Sequence, residues 1–220
     1  MMPLKRTLVY LLCLPALLTA CSEDDYVYPD LVTEIVCLKT DAKGTGNLLV
    51  TDQGKEWSIQ PLTGLEVLSV DSTYRVISKY VPLSNTGDKK QEAKVYAIQG
   101  VTAPIPLPEA KFKNIKTDPV EIESIWRSGD YLNLILQVMV KEELHGFHFI
   151  ENKIETGEGG IKTLHLTLYH DKKGDAEAFY RKTYLSVPLW AYKGRLNKGD
   201  RIVFRLNTYK EGMTSRTFTY

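Results

Sequence analysis

The sequence lacks an N-terminal apolar run long enough to cross a membrane. Thr7 to Leu17 is eleven residues, broken by Pro15, where a spanning helix needs about 20. Behind Lys5 and Arg6, so short a run reads as a cleaved export signal. Cysteine is scarce too. Of the 3 cysteines, Cys13 leaves with the signal and Cys21 stands at the cleavage point. Cys37 is then without a partner, no intramolecular disulfide is available to the exported chain, and the fold must rest on a hydrophobic core. Neither sign of charge prevails. Removing Lys5 and Arg6 from 28 basic residues leaves 26 against 27 acidic ones, a balance that argues against a nucleic-acid partner. Helical periodicity is missing as well: Ala176–Lys182 makes one turn at most.

What is present begins at the cleavage point. Leu18-Thr19-Ala20-Cys21 resembles a lipobox, in which the thiol receives diacylglycerol before the signal is cut. Residues 1–20 are therefore expected to be a lipoprotein signal peptide and Cys21 the lipidated first residue of the mature chain. Burying acyl chain is worth ~0.8 kcal/mol per CH₂, so two or three chains anchor stably where one does not. Residues 21–30 form an acidic tether. Its Ser22-Glu23-Asp24-Asp25 run resembles the surface-export signal of some Gram-negative lipoproteins, and it also reads as a plain solvated charge run. The expected place is the outer membrane, with the chain held by lipid and exposed at the cell surface.

Beyond the tether the pattern has period two, with β-branched and aromatic residues between turn signals. Strands are expected at 31–39, 47–51, 56–60, 74–82 and 93–99. Tyr74, Val76, Ser78 and Tyr80 share one face, and Leu31, Thr33, Ile35 and Cys37 share another. Cys37 then reads as a buried small hydrophobe. Pro104, Pro106 and Pro108 cannot donate ladder hydrogen bonds, and with Lys111, Lys113 and Lys116 they set a boundary near residue 110. Strands resume at 120–126, 131–141, 147–154, 163–170, 182–189, 201–209 and 216–220. Leu132, Leu134, Leu136, Val138 and Val140 line one face of the second of these. The fold class is all-β: a small barrel over 31–110 followed by an antiparallel β-sandwich over 111–220.

Several segments of the second half carry a family resemblance. They are Trp126 with Gly129-Asp130-Tyr131-Leu132-Asn133, Tyr169-His170-Asp171 with Gly174-Asp175, and Ser186-Val187-Pro188-Leu189. Gly199-Asp200-Arg201-Ile202 and the closing Phe218-Thr219-Tyr220 complete the set. With the lipobox and the two β regions, they resemble the NigD-like lipoproteins. The resemblance implies an OB-like domain followed by a β-sandwich, and an immunity role against a bacteriocin.

No catalytic constellation stands out. There is no Gly-x-Ser-x-Gly elbow and no phosphate-cradling loop. His145 and His148, and His165 and His170, are spaced by odd numbers, so each pair points to opposite faces of a strand and makes no metal site. These histidines read as solvated or in turns. Asp171–Asp175 lacks the acidic alternation of a calcium loop. No cofactor and no metal are expected, and the chain reads as a non-enzymatic binder of a protein or glycan. Trp57, Trp126 and Trp190 with thirteen tyrosines either pack or offer stacking platforms. Binding residues concentrate on loops held by a rigid scaffold. The candidates are accordingly Gly157 to Gly160 and Asp171 to Asp175, with a barrel groove near Trp57 as the rival.

Overall fold

The computed structural model describes residues 30–83 and 91–220. The expected signal peptide, the expected lipidation at Cys21 and the tether up to residue 29 lie outside the described residues.

Five strands form the first layer: β1 (Val32–Thr40), β2 (Gly46–Val50), β3 (Glu56–Ile59), β4 (Thr73–Leu83) and β5 (Glu92–Gly100). They close into a barrel in the order β1-β2-β3-β5-β4, the OB-like arrangement. Closure falls to a short parallel pairing of Ser58–Ile59 with Glu92–Ala93. Irregularities at Lys39/Thr40 and Lys79/Tyr80 bend the long strands, which a barrel this small requires. Val36, Leu38, Leu49, Trp57, Val76 and Tyr80 fill the interior. On β4 the inward alternation is the one expected. On β1 the core face is instead Val36 and Leu38, and Cys37, half-buried, points outward. The apolar residues of β1 occur on both faces because both are covered, one by the barrel interior and one by the second half of the chain.

Hydrogen bonding passes directly from barrel to sandwich. The N–H of Val101 still donates to Arg75 of β4, while that of Thr102 already donates to Tyr184. The prolines follow, and among them β6 (Leu107–Pro108) pairs in parallel with Ile150–Glu151, at the sheet edge where proline is tolerated. Seven longer strands come next: β7 (Glu121–Ser128), β8 (Tyr131–Val140), β9 (Gly146–Thr156), β10 (Lys162–Asp171), β11 (Phe179–Pro188), β12 (Arg201–Thr208) and β13 (Gly212–Thr219). A five-stranded sheet, β13-β12-β10-β9-β6, faces a three-stranded one, β11-β8-β7. Most pairings are antiparallel; β10 with β12 and β6 with β9 are parallel. Leu132, Leu134, Leu136, Val138 and Val140 are each at most 1% exposed, so the alternation on β8 has its predicted consequence. Residues 176–178 form no helix, and β11 begins at Phe179. Among the described residues no helix is long and apolar enough to cross a membrane.

Leu31–Tyr220 is one compact unit. The reason lies in the outer face of the three-stranded sheet. Asn133 should be wet by alternation, yet it is 1% exposed, and Ser186 is fully buried. The barrel lies over them.

Candidate functional site

The face of β4 opposite its core residues carries Arg75, which sits beside Cys37 in the strand register. Its guanidinium reaches Asp52, just beyond β2, through a fork: Nη1 donates to Oδ1 at 2.6 Å and Nη2 to Oδ2 at 2.8 Å. Nη2 also donates to Asn133 Oδ1 at 3.0 Å, and Nε to Ser186 Oγ at 3.2 Å. Ser186 Oγ donates to Asn133 Oδ1 at 2.6 Å, and Asn133 Nδ2 returns to Asp52 Oδ2 at 3.1 Å. The Tyr131 ring lies 3.8 Å beneath the guanidinium carbon. Five residues from both halves of the chain thus hold one buried ion pair.

Burial works against the charge of Arg75, but the hydrogen bonds and charge of Asp52 outweigh it and lift the guanidinium above its ordinary value. Burial first, then Cys37, pushes the Tyr131 phenol up. Such a pair contributes little net stability against an apolar replacement, but removing one partner strands a charge. Gly129 makes room for this junction. Its φ is +53°, and a Cβ there would lie 2.3 Å from the Asp52 carbonyl oxygen.

Two clefts flank the network. One, of about 370 Å³, is lined by Thr73, Arg75, Ala103, Tyr131, Pro188 and Trp190; Trp190 is 41% exposed. The other, about 240 Å³, sets Ile35, Ile77, Trp126 and Ile135 beside Asp52 and Asn133. Nη1 also donates to Cys37 Sγ at 3.5 Å, so all five N–H groups of Arg75 are engaged within the chain and it shapes the wider cleft without a free donor for a ligand. What these clefts offer is aromatic and aliphatic wall at a domain junction, a common place for ligands.

The residues singled out from sequence land elsewhere. Trp57 is 6% exposed, inside the barrel, its ring 6.1 Å from that of Tyr80. It presents no face to a partner because its side of β3 is the core side. Gly157 and Gly160 lie in the turn before β10, whereas Asp171 is that strand's last residue and Asp175 lies just beyond it. Ten residues of β10 separate the two loops by ~30 Å at ~3.3 Å per residue, so they do not form one binding face. Asp171 closes its own turn by accepting the Lys173 N–H at 2.8 Å. Asp175 is 6% exposed and accepts the N–H groups of Lys141 and Glu142 at 2.7 and 3.1 Å. The Lys141 bond foremost, against the cost of burial, holds its carboxyl far below the usual carboxylate range.

The histidines also differ from expectation. His170 is 1% exposed, and its Nε2 lies 2.9 Å from Nδ1 of His145. Spacing along one strand says nothing about this pair, which comes from β10 and the β8–β9 connection. Among the described residues there is no metal-holding group of three or more His, Cys, Asp or Glu.

Residues 103–220 match the model of the NigD-like C-terminal beta sandwich domain. A NigD-like immunity protein from Bacteroides caccae has a similar structure, with 33% identity and a TM-score of 0.71 over 89% of this chain and 99% of that one. A candidate toxin-related protein from Parabacteroides distasonis shares the fold at 16% identity, TM-score 0.66, over 87% of this chain and 93% of that one. A candidate lipoprotein from Bacteroides fragilis does so at 15% identity, TM-score 0.55, over 87% and 97%. No curated protein sequence matches the chain.

Proposed function

The chain belongs to the NigD-like family, and on that footing we propose that it is a non-enzymatic, lipid-anchored envelope protein. It binds an incoming polypeptide toxin and so gives its cell immunity. The observation that carries this reading is the 33% identity to an immunity protein over 89% of the chain. The junction clefts support it, since aromatic anchors in preformed pockets supply much of the energy of protein recognition. Lipid on Cys21 holds the protein at the outer membrane, and the acidic run after it favours display at the cell surface.

A strain lacking the gene, its parent and a complemented strain are challenged with culture supernatants of co-resident bacteriocin producers. Killing should rise in the deletion strain for at least one producer and return to the parental level on complementation. Equal sensitivity of all three strains to every producer would overturn the reading. A surface role in glycan binding is the second reading, favoured by the half-open Trp190 wall of the wider cleft. Under that reading, oligosaccharides shift the Trp190 indole resonance and producer supernatants do not discriminate the strains.

A further inference from the structure

At one end of the sandwich, four acceptors and donors form a chain through two buried imidazoles. His170 Nδ1 lies 2.9 Å from the backbone carbonyl of Asp118. A carbonyl only accepts, so this nitrogen carries hydrogen. His170 Nε2 and His145 Nδ1 are 2.9 Å apart, a separation that needs one hydrogen between them. His145 Nε2 then meets the carboxylate of Asp175 at 3.4 Å, again an acceptor alone. Three N–H hydrogens are required on four ring nitrogens. Two neutral imidazoles supply two.

We infer that His145 and His170 together hold one proton beyond the neutral pair, and that this shared proton is a pH-sensitive latch between the β8–β9 and β10–β11 connections. Both side chains of the His145–Asp175 contact are 3% exposed, so the extra charge is matched by a carboxylate that burial cannot easily leave unpaired. The Phe147 ring stacks on His170 at 4.6 Å and 5°, closing the remaining side. Other charged groups about the pair are already engaged. Asp118 Oδ2 accepts the Lys172 N–H and Asp171 Oδ1 that of Lys173. Lys141 pairs with Glu142, and Lys172 with Glu177. Arg181 lies across a cleft of about 220 Å³ that His145 lines with Leu144, Phe147 and Tyr184. Burial, the main influence on His170, disfavours a charge on that ring.

Unfolded imidazoles each titrate near ~6.5, and the folded pair behaves as one unit with two steps. Above that pH the unfolded chain holds neither proton and the folded pair still holds one, so stability falls as pH rises through the pair's discharge. Below it the unfolded chain holds two, and stability falls as pH drops. The latch is therefore tightest near pH ~6.5. Its release at higher pH frees the loop bearing Leu144, which is 74% exposed, and loosens one wall of the cleft.

The test uses the full chain with ¹⁵N-labelled histidine, resonances being assigned by single substitutions. One unit above the free-imidazole value of ~6.5, three of the four ring nitrogens of His145 and His170 should carry hydrogen. Between the free-imidazole value and the pair's discharge, opening of the Lys141 and Glu142 amides should rise about tenfold per pH unit, because the closed pair holds one proton that the opened one has lost. His145→Gln can still bridge Asp175 and His170; it should fold, leave His170 neutral and abolish that dependence. Two hydrogens on the four nitrogens at this pH would overturn the latch, as would an unchanged amide profile in His145→Gln.

Discussion

Arg75 and Asn133 meet at 3.0 Å across the barrel–sandwich junction, and every other bond of the Arg75 guanidinium is spent on the same junction. Replacing Arg75 by Met leaves Asp52 buried without its cation. Breaking a buried pair from one side costs about 3–5 kcal/mol. Urea denaturation of Arg75→Met should therefore show a midpoint well below that of the parent. The double replacement Arg75→Met with Asp52→Leu should recover much of the loss, since it removes both charges. A midpoint within error of the parent for the single variant would contradict the placement of this pair.

Gly129→Ala should destabilise the same junction without touching a hydrogen-bonding side chain. The new Cβ would sit 2.3 Å from the Asp52 carbonyl at a φ of +53°. Strain of that kind costs about 1–3 kcal/mol, and here the clash adds to it. Thermal unfolding is the measurement. Gly159→Ala, at a φ of +69° with open space around it, is the control and should lose less.

Both of those residues bear on how much could be read from the chain beforehand. Strands were legible because each records its own burial in its own alternation, as β8 does. The bonds of Arg75 were not, because the residues that meet it are 58 and 111 positions away. A signal existed nonetheless: Trp126, Gly129, Tyr131, Asn133, Ser186 and Pro188 all belong to the segments that carried the family resemblance, and all lie at the junction. Those segments record where the barrel docks. The two candidate loops stand out by composition, which identifies turns and cannot say that ten residues of strand hold them apart. Trp57 packs inside the barrel for a reason its sequence does not carry: a tryptophan that stacks and one that packs look alike there.

Asp175→Asn should loosen the β8–β9 connection and alter its response to acid. The carboxyl is held below its ordinary value of 3.8 by the Lys141 N–H and its neighbours. A depressed carboxylate contributes stability that is complete above the unfolded value and is lost as pH falls toward the folded one. The parent should therefore lose stability on acidification below pH 3.8 in excess of the variant. Guanidinium midpoints measured through that range decide it, and parallel curves for the two proteins would contradict the role given to Asp175.

Cys21→Ser should leave the protein unprocessed or outside the lipid-anchored fraction, because the serine hydroxyl does not replace the acylated thiol. Two acyl chains hold a protein on a membrane where none does. Metabolic labelling with palmitate and detergent partition of cell extracts give the readout. Label persisting in the variant would remove Cys21 as the anchor.

The proposed binding of a toxin is tested by depletion of killing activity. Full-length protein on beads is mixed with a producer supernatant that kills the deletion strain, and the cleared supernatant is titrated on that strain. The parent protein should remove the killing activity. Beads carrying the double variant Trp126→Ala with Trp190→Ala, one replacement in each junction cleft, should remove much less. Killing activity that survives the parent beads undiminished, from a supernatant against which the gene protects, would contradict binding as the basis of immunity.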